Sequence, residues 1–62
     1  MDNHFVFLTA KEVSNILRLS EQTIVRWANT KKIPAYKFGL QWRFESKSLN
    51  TWISGQYYTG GK

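Results

Sequence analysis

Between Gln22 and Phe44 the chain carries Arg26, Lys31, Lys32, Lys37 and Arg43 and not one carboxylate, while Asp2, Glu12, Glu21 and Glu45 all lie outside that window. Cations gathered without acids suit contact with a polyanion, and the whole chain has a formal charge of +5 at pH 7. A run of mixed cations is often no more than a solvated surface, so the elements that carry it must decide. Other chemistry is sparse. His4 is the one histidine, close to the N-terminus and without a second ligand at metal spacing. The four carboxylates fall on three separate elements, with no pair placed for acid/base work. Gly39 stands alone rather than in a phosphate-cradling loop, and the serines and threonines lack a neighbouring base. These counts predict no enzyme, no metal, no cofactor and no small-molecule substrate.

Length and composition agree. A 62-residue chain without cysteine forms one domain, with neither disulfides nor thiolate zinc to supplement its core. It buries only about 60% of its unfolded surface. Three Trp, three Tyr and four Phe must therefore supply much of the packing. The N-terminal residues lack the features of a signal peptide, and no 18-residue apolar run occurs. A cytoplasmic location is the expectation, nucleoid-associated if the polyanion is DNA.

The elements that must position the cations can be read in order. Thr9 and Glu12 have capping-box spacing, Leu8 and Val13 are placed as a hydrophobic staple, and Val13, Ile16 and Leu17 form an apolar stripe, which predicts a helix over 10–17. Ser20 is a good N-cap and Glu21 suits the positive end of a helix dipole. Ile24, Trp27 and Ala28 then recur at helical spacing, predicting a second helix over 21–30. Those three face inward; Gln22, Thr23, Val25, Arg26 and Asn29 face outward. Two short helices joined by about three residues have helix-turn-helix spacing, a weak signal by itself.

Ile33-Pro34 ends the helical pattern. Tyr36, Phe38, Trp42 and Phe44 then alternate with Lys37 and Arg43 about Gly39, the pattern of a β-hairpin. A three-residue loop, Gly39-Leu40-Gln41, pairs Phe38 with Trp42, Lys37 with Arg43 and Tyr36 with Phe44. That register makes one face aromatic, to be buried, and the other basic. Its consequence is a like-charge pair across the strands, which a bound polyanion would relieve. Leu49, Trp52 and Ile53 predict a closing helix over 47–53, stopped by Gly55.

The ordered set resembles one family. It comprises Leu8-Thr9 with Glu12-Val13, Leu19-Ser20 with Thr23-Ile24 and Arg26-Trp27, Ile33-Pro34-Ala35-Tyr36, Gly39, Trp42-Arg43-Phe44, and Leu49 with Trp52-Ile53. Over about Phe7 to Ile53 the chain is similar to the excisionase-type small helix-turn-helix proteins, whose winged-helix domain is shared with MerR-type regulators. The resemblance implies a mainly α fold with a β-hairpin, in the order α-α-β-β-α. It also implies a second helix in the major groove of DNA and a hairpin wing along the adjacent backbone or minor groove. Carried over, Glu21, Gln22, Thr23, Arg26, Asn29, Lys31 and Lys32 become contacts of the recognition helix, and Lys37, Gln41 and Arg43 contacts of the wing. The residue chemistry agrees: Gln and Asn pair with adenine and Arg with guanine, and Thr23 suits phosphate. Glu21 accepts from a cytosine amine or caps the helix, and we favour the cap. Two departures stand out. Lys31 replaces the usual glycine after the second helix, and Leu40-Gln41 the usual Gly-Arg at the wing tip.

The expected organisation is an N-terminal arm over 1–6, a DNA-binding domain over 7–54 and a flexible tail over 55–62. The expected role is sequence-specific duplex binding by an excisionase or transcription regulator of a phage or mobile element in bacteria, either in DNA recombination or in transcription regulation. A recombinase (integrase) or another copy on DNA would be its protein partner, with no membrane involved and a monomer in solution. Two alternatives stay open. One is a single-stranded DNA or RNA binder using the hairpin aromatics as stacking platforms, which requires them to be exposed. The other is a protein-interaction or targeting module.

Overall fold

Thr9 ends one element and begins another. A computed structural model describes residues 4–56. In it Phe7–Thr9 is a short strand, β1, that passes without a loop into helix α1, Ala10–Leu17. The predicted capping box closes α1: the Thr9 amide donates to Glu12 Oε1 over 2.8 Å and the Glu12 amide to Thr9 Oγ1 over 3.1 Å. Leu8 packs against the cluster that contains Val13, as the staple requires. Helix α2, Glu21–Asn29, starts from Ser20, whose hydroxyl accepts the Thr23 amide. Strands β2, Tyr36–Phe38, and β3, Gln41–Glu45, form the hairpin, and helix α3, Ser46–Gly55, closes the chain.

The element order is therefore β-α-α-β-β-α, one strand more than the expected α-α-β-β-α. The added strand makes an antiparallel sheet in the order β1-β3-β2, so β3 lies in the middle. Three residues are too few to announce a strand by themselves. They become one by pairing Leu8 with Phe44, and the ladder continues where the Ser46 amide donates to the Val6 carbonyl. The helices agree closely with expectation, α2 ending at Asn29 and α3 spanning 46–55 rather than 47–53. The tail expected over 55–62 lies outside the described residues from Tyr57 onward, as do the first three residues of the expected arm.

The hairpin register is the principal correction. Tyr36 stands across from Arg43, Lys37 from Trp42 and Phe38 from Gln41, so the loop is Gly39-Leu40 alone. Gly39 has φ of 64° and Leu40 is not in the positive-φ region, which fits a type II′ turn with glycine first. That two-residue turn follows the right-handed twist of its strands and displaces the pairing by one position from the expected one. A displacement of one reverses which side chains share a face. Trp42, Phe44 and Leu8 now share the inner face with Lys37. Tyr36 and Phe38 turn outward with Gln41, Arg43 and Phe7. The expected aromatic core face and the expected Lys37–Arg43 pair are both absent.

The core gathers beneath the central strand. Phe44, Ile24, Val13 and Leu49 are fully enclosed, joined by Ala10, Ala28 and Ile33. Trp27, Trp52 and Ile53 pack on this cluster while partly exposed. Ile16 is exposed, against expectation; Ser14 completes the buried side of α1 instead, its hydroxyl satisfied by the Lys11 carbonyl over 2.7 Å. Val25, expected outward, is half-buried against the core. Among the described residues no helix is long and apolar enough to cross a membrane.

At the second strand-to-helix junction Glu45 is buried and caps α3. It accepts the Ser48 amide over 3.0 Å, the Ser48 hydroxyl over 2.9 Å and the Lys47 amide over 3.3 Å. The Ser48 amide does most to hold this carboxyl below its ordinary value of 4.5, against a smaller opposing effect of burial. A depressed folded-state pKa contributes stability that is complete above 4.5 and lost as the pH falls below it. Glu45→Gln is therefore expected to lower the melting temperature at pH 7. Its deficit against the parent should shrink steadily in melts taken below pH 4.5.

Candidate nucleic-acid interface

Glu21, Gln22, Arg26 and Asn29 on the exposed side of helix α2, with half-buried Val25 between them, line one shallow groove of about 460 Å³. Its side chains differ in readiness. Thr23 is half-buried with its hydroxyl 2.8 Å from Ser20 Oγ, so it belongs to the helix cap. Asn29 Nδ2 folds back to donate to the Val25 carbonyl over 3.1 Å. Glu21 lies in the first turn, where a carboxylate complements the helix dipole.

The end of α2 explains how Lys31 and Lys32 are placed. The Lys32 amide donates to the Trp27 carbonyl over 2.8 Å and the Lys31 amide to the Ala28 carbonyl over 3.2 Å, the two bonds of a Schellman motif. Lys31 occupies its left-handed position with φ of 64°. The geometry that glycine ordinarily supplies is thus kept with lysine, at some conformational cost. Lys31→Gly is expected to raise stability by about 1 kcal/mol, read as a rise of several degrees in melting temperature. The next segment is tied from a distance, since Trp52 Nε1 donates to the Lys32 carbonyl over 2.9 Å. Trp52 also lies against Trp27, ring centroids 6.0 Å apart. Sequence reasoning assigned Trp52 to the core and missed this anchoring role, because nothing local signals a bond across twenty residues.

Between the end of α2 and the hairpin opens a second cleft, about 680 Å³, lined by Asn29, Lys31, Lys32 and Lys37 over a floor that includes Trp42 and Trp52. No carboxylate lines it. Lys37 enters from the hairpin with its ammonium 4.9 Å above the Trp42 ring, a cation–π contact that holds the charge at the rim. Asn29 lines both grooves, so the exposed side of α2 and the three-lysine cleft meet at that residue.

The structure thus brings Lys31, Lys32 and Lys37 together beside Asn29 and, along α2, Arg26, Gln22 and Glu21. It does not bring Gln41 and Arg43 to them. Both stand on the other face of the hairpin, the Arg43 guanidinium donating to the Trp42 carbonyl and to Gln41 Oε1. Among the described residues no group of three or more His, Asp or Glu could hold a metal ion.

Residues 7–57, which include all three helices and the hairpin, match the family described as Helix-turn-helix domain. The chain belongs to that family. The helix-turn-helix domain is also similar to two curated proteins from Mycobacterium tuberculosis, of strains CDC 1551 and H37Rv, each named "Putative DNA-binding protein". Identity to each is 28% over 54 residues, covering 87% of this chain and 69% of the relative. No solved structure matches the domain.

Proposed function

We propose that this helix-turn-helix domain binds double-stranded DNA with sequence preference. Helix α2 enters the major groove and Lys31, Lys32 and Lys37 seat the flanking phosphates. The observation that carries the reading is that Asn29 lines both the groove of Gln22 and Arg26 and the cleft of the three lysines. Nine helical residues make a rod of about 14 Å, and a helix fits a major groove of about 12 Å. Arg26 and Gln22 then reach base edges, while the lysines fix position without reading sequence. Glu21 and Thr23 support the helix start, and Gln41 and Arg43 stand farther from the duplex than the resemblance implies. The names of the mycobacterial relatives agree with this reading.

Residues 7–54 form the DNA-binding unit, in the manner of the winged-helix domains of excisionases and MerR-type regulators. A role in recombination or transcription of a phage or mobile element follows from that resemblance, as do action at the nucleoid and a recombinase partner. The single-strand alternative has its requirement met at Tyr36 and Phe38, which are exposed. The cleft cations, however, lie on the opposite face of the hairpin from those rings.

The test compares Arg26→Ala and Lys37→Ala on a panel of duplexes selected by the parent domain. Arg26→Ala is expected to flatten the ranking, with a loss of about 1–3 kcal/mol on preferred sites. Lys37→Ala is expected to weaken all duplexes alike and reduce the salt slope by about 1. Equal affinity of the parent for every duplex, or affinity independent of salt, would refute the proposal.

A further inference from the structure

The outer face of the sheet carries an aromatic cluster that the DNA reading leaves unused. Phe7 stands edge-on to Tyr36 and to Phe38, with centroids 5.6 and 5.5 Å away, and Tyr36 and Phe38 stack at 6.2 Å. Phe5 extends the row, stacked on Phe7 at 6.0 Å. None of the four is buried: Phe5 is 64% exposed, Phe38 53%, Tyr36 45% and Phe7 38%. With side chains of this size the rings show roughly 400 Å² of contiguous apolar surface, within the range of the largest patches on ordinary monomers.

The geometry points to a second copy of this chain as the occupant, the two sheets packing outer face to outer face. Charge is the first argument. The molecule is strongly cationic, so copies repel one another across most surfaces. Strand alternation places one cation, Arg43, on this face, and its guanidinium is bonded to the Trp42 carbonyl and Gln41. The Glu45 carboxylate is occupied in the α3 cap. The face therefore offers no row of charge to a nucleic-acid backbone or an acidic peptide, yet allows a copy to approach. Area is the second argument. Two clusters would form an apolar centre of roughly 800 Å², and a rim including Gln41 and Leu40 brings the total toward the ~1,200 Å² at which specific interfaces begin. A weak, reversible dimer is what an interface at that lower size limit implies. Lys37 and its cleft lie on the other face of the hairpin, so pairing leaves both clefts open.

The test is sedimentation of the full chain from micromolar to millimolar concentration, for the parent, Phe38→Ser, Tyr36→Ser, Phe5→Ser and the control Ile16→Ser. Ile16 is equally exposed but lies on α1. Circular dichroism checks that each variant is folded, and the exposed positions allow that. The parent mass is expected to rise toward twice the monomer. Each outer-face variant should weaken association about tenfold or more, with Ile16→Ser unchanged. A parent that stays monomeric at millimolar concentration would overturn the inference, and so would outer-face variants that associate as well as the parent. Fluorescence quenching by oligo-dT that disappears in Phe38→Ser, without self-association of the parent, would reassign the cluster to single-strand stacking.

Discussion

Phe44→Ala is expected to leave the chain largely unfolded at 25 °C, whereas Phe38→Ala leaves it folded. The two phenylalanines belong to the same hairpin, yet Phe44 is fully enclosed under the central strand and Phe38 is more than half exposed. Truncating a buried phenylalanine costs about 3–5 kcal/mol. That equals or exceeds what a single core supplies below ~70–80 residues, and no disulfide adds to it here. Removing Phe38 gives up partly solvated ring contacts with Phe7 and Tyr36, worth about 1 kcal/mol. Urea titrations of the two variants against the parent check the difference. They also decide the hairpin register independently, because the alternative pairing would bury both rings.

The second large effect is expected from exchanging Lys31, Lys32 and Lys37 together for glutamine. Each phosphate left without its lysine takes about 0.9 from the slope of log affinity against log salt, so the slope of the triple variant should be shallower by about 2.7. Near 0.1 M salt the same relation gives a fall in affinity of about 100- to 500-fold. The three side chains line one cleft, so their effects should be nearly additive in slope even if their affinities couple. Arg43→Gln is the informative comparison. Its guanidinium is bonded along its own strand on the other hairpin face, so its effect should be small. Filter binding or fluorescence anisotropy across a salt series measures all of these. An unchanged slope in the triple variant would place the phosphate-binding groups elsewhere.

Local features were legible in the residues. The capping box at Thr9 and Glu12, the cap at Ser20 and the helical recurrence of Ile24, Trp27 and Ala28 each lie within one turn, and the helices begin where they indicate. What escaped depends on distant partners. Phe7–Thr9 is a strand only because β3 is there to accept it. In the hairpin an all-aromatic face looked the one to bury. The choice was made by the Gly39 turn, whose two-residue loop sets Lys37 across from Trp42. The candidate site divided in the same way. Lys31, Lys32 and Lys37 converge as the cationic window suggested, whereas Gln41 and Arg43 followed the register to the other side.

The direct junctions at Thr9 and Glu45 have a mechanical corollary. With β1 running straight into α1 and β3 straight into α3, the sheet and those two helices have no slack between them. The stretch from Thr30 to Ala35 is the longest span without regular structure among the described residues, and it carries Lys31 and Lys32. Part of the domain's positive charge thus rides on an irregular span, held by the Lys31 and Lys32 amides and by one indole from below. A ligand that gathers those ammonium groups would splint that span further, coupling occupancy to local rigidity.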